Sequence, residues 1–207
     1  MPASADVLPD SAASVLALAP RERLFNVDEY HTLLHAGILT EDDRVELING
    51  RIVAMTPIGP PHLHTVNRLE RLFAKRVYTA EPPLAHVSVQ NSVRLGHRNE
   101  PEPDLVLLRP DAPEDRVPIP EDVLLLVEVA DSSAEIDRRV KRPLYASAGI
   151  SELWIVYLGD GVVEVCREPG AEDYADVARM TPGDALQIAA LPDLPALPVA
   201  EVLGAKG

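Results

Sequence analysis

Cysteine is almost missing from this chain of 207 residues. Cys166 stands alone, so no intrachain disulfide can form, and that usage fits a reducing compartment such as the cytoplasm. Positive charge is also short: 19 Lys and Arg face 33 Asp and Glu, a formal net charge of −14. A surface that grips duplex nucleic acid usually needs clustered Lys and Arg to displace counterions. Any such contact here must come from a local basic patch, a metal ion, or both. No apolar run nears the roughly 20 residues of a membrane span. SAASVLALAP (11–20) is short and follows Asp6 and Asp10, without the basic residues that open a signal peptide. A soluble cytoplasmic protein with no membrane contact is expected. The patterns GxxxxGKS/T, GxSxG and CxxC are absent, which leaves an NTPase, a serine hydrolase and a zinc ribbon without support.

What is present is an ordinary globular composition, 46% hydrophobic and 25% charged, enough for one domain with a substantial core. Residues 1–22 carry little pattern and are expected to be a flexible N-terminal arm, with 23–204 as a single domain. NVDEYHTLLHAG (26–37) predicts a helix capped by Asn26 and stopped at Gly37, with Tyr30, Leu33 and Leu34 on one face. DRVELINGRIVAM (43–55) predicts a hairpin around Asn49-Gly50. PPHLHTVNRLERLFAKRVY (60–78) opens on prolines and spaces Leu63, Val66, Leu69, Phe73 and Val77 as one helical face.

Strands are expected at 86–95, 103–108 and 123–129, the last two separated by a Pro-rich acidic loop. Ser132 to Glu135 has capping-box spacing and predicts a helix running to about Ser147. ELWIVY and VVEVCRE flank Gly159-Asp160-Gly161 as a second hairpin, and the Leu-Pro repeats in ALPDLPALPVAEVL predict an extended strap rather than a helix. The order predicts an α/β fold, one mixed sheet flanked by helices, with an N-terminal helix and hairpin.

Three acids sit in or beside apolar strands: Glu46 between Val45 and Leu47, Asp104 ahead of LVLL, and Glu128 inside VLLLVEV. An ionised carboxylate is expensive to bury unless it is paired, hydrogen-bonded or metal-bound. If the strands at 104–108 and 123–129 are neighbours, Asp104 and Glu128 converge. Clustered oxygens of this kind suit Mg²⁺, with waters completing the shell. Lys141 follows on the next helix and shares a face with Asp137 and Tyr145; there it can stabilise negative charge developing on a phosphate. Together these residues point to metal-assisted hydrolysis of a phosphodiester.

The ordered set RVELINGRIVAM, PIGPPH, EPDLVLL and LVEVADSSAEIDRRVKRPLYASAGISELWIVY resembles the Uma2 family of endonucleases, within the PD-(D/E)XK nuclease superfamily. The resemblance runs over roughly residues 23–204. It implies a restriction-endonuclease-like core, Mg²⁺ or Mn²⁺ as cofactor, and DNA as the substrate and partner. By position, Asp104 is the aspartate of the Pro-Asp element and Glu128 the acid of the (D/E)XK element. Ala130 stands where that element has lysine, and the resemblance implies that Lys141 takes over from the following helix. Glu46 and His62 match further positions of the family, Glu46 as a third metal ligand. A homodimer would let two sites address two strands, and is the expected assembly.

Plainer readings stand beside these. Glu128 could pair with Arg138 or Arg139, Asp104 could cap a turn, Lys141 could pair with Asp137, Glu46 with Arg51, and His62 could cap its helix. His31 and His35 form an i, i+4 pair without a zinc context and read as structural. Tyr145 and Trp154 read as core aromatics supporting the site. The rival function is a catalytically inactive nuclease fold that binds nucleic acid or a protein. The −14 charge and Ala130 favour that rival, whereas three retained acids favour the enzyme. Convergence of the acids with Lys141 pointing in would separate them. So would basic clustering of Arg68, Arg71, Lys75 and Arg76 with Arg138, Arg139, Lys141 and Arg142 beside the acids.

Overall fold

The computed structural model describes residues 22–55, 57–131 and 136–204. The expected arm, apart from Glu22, and the capping box at 132–135 lie outside the described residues. The first helix, α1 (Val27–His35), begins in a reciprocal capping box. Asn26 Oδ1 accepts from Glu29 N at 2.8 Å, and Glu29 Oε2 accepts from Asn26 N at 3.1 Å. The hairpin β1 (Val45–Ile48) and β2 (Arg51–Ala54) turns through Asn49 and Gly50, both with positive φ, the conformation a two-residue hairpin turn demands. At Gly50 a Cβ would also meet Leu24 Cβ at 2.8 Å and Phe25 O at 2.9 Å, so only glycine fits.

The long helix α2 (Pro60–Val77) starts on its two prolines and buries Val66, Leu69, Phe73 and Val77. Leu63 departs from the expected face and is 46% exposed. It belongs to the first turn, where His62 reaches Asp104 just ahead of a strand, so this turn hangs at the rim of the sheet.

Six strands form the central sheet in spatial order: β3 (His86–Val89), β4 (Leu105–Leu108), β5 (Val123–Ala130), β6 (Glu152–Tyr157), β7 (Val162–Pro169) and β8 (Tyr174–Met180). All neighbours are antiparallel except β5 and β6, which run parallel. A parallel pair needs a long crossover, and the helical segment between them supplies it. That segment contains a π-helical turn, Asp137–Lys141, in which the Arg142 N–H reaches back five residues to Asp137 O; it continues as α3 (Arg142–Ser147).

Three further differences from the sequence reading have identifiable physical causes. The strand expected at 86–95 ends at Val89, because Gln90 takes φ 51° and turns the chain out of the ladder. β8 went unassigned because its alternation is weak, and most of its side chains are exposed on the sheet's edge. The terminal strap pairs briefly, β9 (Ala185–Leu186) against β10 (Leu197–Pro198), and then becomes a short helix, α4 (Val199–Leu203). No proline interrupts that last run, and Val199 and Val202 gain burial beside α2 while Arg68 Nη1 donates to Val202 O.

Two apolar layers sandwich the sheet. On one face, Leu105, Leu107, Leu125, Val127 and Trp154 pack under α2 and the terminal segment. On the other, Val106, Leu126, Ala130, Leu153 and Ile155 pack under α3 with Tyr145 and Ile150. The hairpin joins through a bridge between Leu47 and Glu100, just ahead of β4.

Candidate active site

The register of β4 against β5, Leu105 opposite Val127, sets Asp104 beside Glu128. Strand alternation turns both toward the α3 face, where the aligned positions Val106, Leu126 and Ala130 are apolar core. The Leu47–Glu100 bridge carries Glu46 to the same edge, the first turn of α2 contributes His62, and the π-helical turn contributes Lys141. These five side chains line one cavity of about 90 Å³, together with Asp137. They are recessed: Glu46 is 5% exposed, Asp104 9%, Glu128 3% and Lys141 9%.

The three carboxylates share a hydrogen-bonding pattern. Asp104 Oδ2 accepts from Val129 N at 2.8 Å and lies 3.0 Å from His62 Nε2. Glu128 Oε1 accepts from Tyr145 Oη at 2.6 Å and lies 3.2 Å from Lys141 Nζ. Glu46 Oε2 accepts from Glu102 N at 3.2 Å and lies 3.4 Å from the same ammonium. In each acid one oxygen is held by two donors. Its second oxygen has no protein donor among the described residues. Lys141 therefore bridges Glu46 and Glu128, and the Asp137 charge also acts on it. Arg138 bonds Glu164, Arg51 bonds Glu22, and His31 bonds Glu100.

Electrostatics follow from burial. Removal from water pushes the Glu128 carboxyl up to about 8; Asp104 and Asp137 add to this, against the pull of Lys141. Burial disfavours the Lys141 ammonium, but Glu128 and Glu46 outweigh it and hold the lysine charged well above its ordinary range. His62 is likewise lowered by burial and raised more by its hydrogen bond to Asp104 and that charge, so its net shift is upward. Its buried Nδ1 has no partner.

Among the described residues no three His, Cys, Asp or Glu are grouped so that together they could hold a metal ion. The basic residues of α2, and Arg138, Arg139 and Arg142, do not line the cavity. Arg142 bonds Asp173 and Glu164, and Arg76 reaches Glu201, so of the two basic helices only Lys141 borders the acids. Four polar lining residues went unnoticed in the sequence: Arg44, Gln90, Glu102 and Asp131, whose charge acts on His62. Glu102 carried a signal, since it stands two residues before Asp104 in EPEPD; half-buried beside Glu46, its carboxyl is pushed up. Arg44 and Gln90 had none, because both are placed by turns. No helix among the described residues is long and apolar enough to cross a membrane.

No curated protein sequence matches the chain. Among solved structures, a "putative nuclease belonging to DUF820" from Anabaena variabilis superposes with a TM-score of 0.68 at 14% identity, covering 87% of this chain and 98% of that one. At that identity the likeness is one of fold, and it extends over the mixed sheet and its flanking helices. The sequence model of one family, described as "Putative restriction endonuclease", matches residues 27–200, and the chain belongs to that family, Uma2.

Proposed function

We propose that the protein is an endonuclease that hydrolyses phosphodiester bonds in DNA with Mg²⁺ or Mn²⁺ as cofactor. One observation carries the reading: three recessed carboxylates, each with one oxygen anchored and the other without a donor among the described residues, line a cavity that also holds a buried ammonium. An all-oxygen donor set fits a hard cation, which typically takes one or two carboxylates and keeps waters and substrate oxygens as its other ligands. Asp104 and Glu128 would hold the ion, with Glu46 as a third donor or as the group that orients water. When bound, such an ion activates a water and offsets charge on the phosphate.

The side chains divide the remaining work. Lys141 stays protonated, so it acts as a donor to the phosphate or the attacking water and not as a base. Its ammonium is placed to stabilise the extra negative charge as water adds to phosphorus and an ester oxygen departs, taking up a proton. His62 and the Val129 N–H fix the orientation of Asp104, and Tyr145 fixes that of Glu128. Recession of all these groups favours the enzyme over a binding module, because a docking surface gains nothing from carboxylates it cannot expose.

The test is calorimetric titration with Mg²⁺ and Mn²⁺ of the wild type and Glu128→Gln, paired with cleavage of covalently closed circular DNA, supercoiled duplex and single-stranded. Closed circles have no ends, so cleavage is endonucleolytic. Metal-dependent cleavage lost in Glu128→Gln is the expected result. Absence of metal binding by the wild type would overturn the proposal.

A further inference from the structure

We infer that the substrate strand is unpaired where it meets the site, lying in a groove that leaves the cavity between Arg44 and Gln90 and runs past Asn91 and Ser92. This rests on the nuclease reading and specifies its substrate. The cavity, about 90 Å³, is far below the roughly 300 Å³ at which pockets for small organic ligands begin. It admits a phosphate oxygen, an ion and a few waters; sugar and base must lie outside.

The adjoining space has a definite course. Arg44, Gln90 and Glu102 line both the cavity and a neighbouring hollow of about 580 Å³. Asn91 and Ser92 line that hollow and a further, shallow one of about 1180 Å³, which reaches Arg94, His86, Tyr78 and the loop at 112–119. The junction is conformationally expensive. Among the described residues, Arg44 and Gln90 are two of four non-glycine residues with left-handed φ, 45° and 51°, and strained backbone of this kind gathers at functional sites. Arg44 has no ion-pair partner among the described residues, and the Gln90 side-chain amide has no hydrogen bond there. A free cation next to the cavity suits a flanking phosphate, and a free amide suits the edge of a base.

Charge argues against a duplex. Duplex binders neutralise a row of phosphates on both strands. Here Arg44 and Lys141 are the Lys and Arg lining the cavity among the described residues, and Arg142, at the start of α3, is committed to Glu164 and Asp173. Unpaired strands are held with fewer phosphate contacts, through base edges and stacking, for which Gln90, His86 and the 48%-exposed Tyr78 are suited.

The experiment is fluorescence anisotropy of a labelled 20-nucleotide strand and the same sequence as a duplex. Ca²⁺ replaces Mg²⁺, and wild type is compared with Ser92→Glu and Arg94→Glu, which lie away from the cavity. The expected result is single-strand affinity at least tenfold above duplex, falling at least fivefold in each variant, with Mg²⁺ titration unchanged. Equal or tighter duplex binding, or variants that bind the single strand as wild type does, would overturn the inference while Mg²⁺ binding leaves the nuclease reading intact. Failure of wild type to bind Mg²⁺ would remove both.

Discussion

Replacing Lys141 with Met tests the site's electrostatics at their centre. The ammonium lies 3.2 Å from Glu128 Oε1 and 3.4 Å from Glu46 Oε2, and all three side chains are almost fully buried. Removing one partner of a buried ion pair costs about 3–5 kcal/mol, because the other charge is stranded. Burial holds Glu128 near 8, so at neutral pH it already carries its proton much of the time and the stranded charge is chiefly that of Glu46. The lower end, ~3 kcal/mol, is therefore expected at neutral pH. With a urea slope of about 2 kcal/mol per M, the metal-free unfolding midpoint should fall by ~1.5 M. Trp154, the single tryptophan and fully buried, reports that transition by fluorescence. Mg²⁺ should then separate a catalytic lysine from a structural one. Taking a positive charge out of a cavity lined by carboxylates strengthens cation binding, so Lys141→Met should bind Mg²⁺ more tightly than wild type and regain stability with it. Saturation at a hundredfold over Kd would add about 2.7 kcal/mol. Cleavage should nevertheless drop at least a hundredfold. A metal-free midpoint within 0.3 M of wild type (roughly 0.6 kcal/mol at that slope), or weaker Mg²⁺ binding in the variant, would refute this account.

Other consequences are separable. Glu128 has a folded-state pKa raised to about 8 over its ordinary value of 4.5, so its contribution to metal-free stability is complete below 4.5 and fades as pH rises through 8. Metal takes the carboxylate form, so Mg²⁺ affinity measured calorimetrically should climb toward pH 8 with proton release, and Glu128→Gln should flatten the climb. Tyr145→Phe removes the 2.6 Å donor to Glu128 and should cost about 1–3 kcal/mol of stability, lowering kcat more than it raises KM. Cys166, whose thiol burial pushes up to about 12, should ignore a disulfide reagent at pH 8 until urea unfolds the protein. Phe73→Ala, which empties a fully buried ring site beside Trp154, should cost about 3–5 kcal/mol by urea denaturation.

Much of the fold was legible because its signals are local. Asn26 with Glu29, Asn49-Gly50, and Pro60-Pro61 each act within a few residues, and each element forms where those residues require. The hairpin around Gly159-Asp160-Gly161 is read the same way, through Tyr157 opposite Val162. Legibility failed where the cause is tertiary. Nothing local tells that Leu63 hangs over the sheet's rim, that Gln90 breaks its strand, or that β8 attaches at an edge.

The acids show the same limit more sharply. Glu152 in ELWIVY and Glu164 in VVEVC have the same sequence context as Glu128, an acid inside an apolar strand, and both are buried. Yet Glu152 is consumed by Arg167 at 2.6 Å and by Trp154 and Ala189 N–H groups, and Glu164 by Arg138, Arg142 and Tyr157. A buried strand acid is thus ambiguous by itself. What distinguishes Glu128 is incomplete satisfaction: one oxygen is held by Tyr145 and Lys141, while the other has no donor among the described residues, in a cavity that Glu46, Asp104 and further acids also line. The lysine makes the same point. At position 130, in the strand, its side chain would occupy space now filled by α3 core. From the widened turn at 137–141 the ammonium reaches Glu128 and Glu46 together, which explains how Ala130 and a charged cavity coexist in one fold.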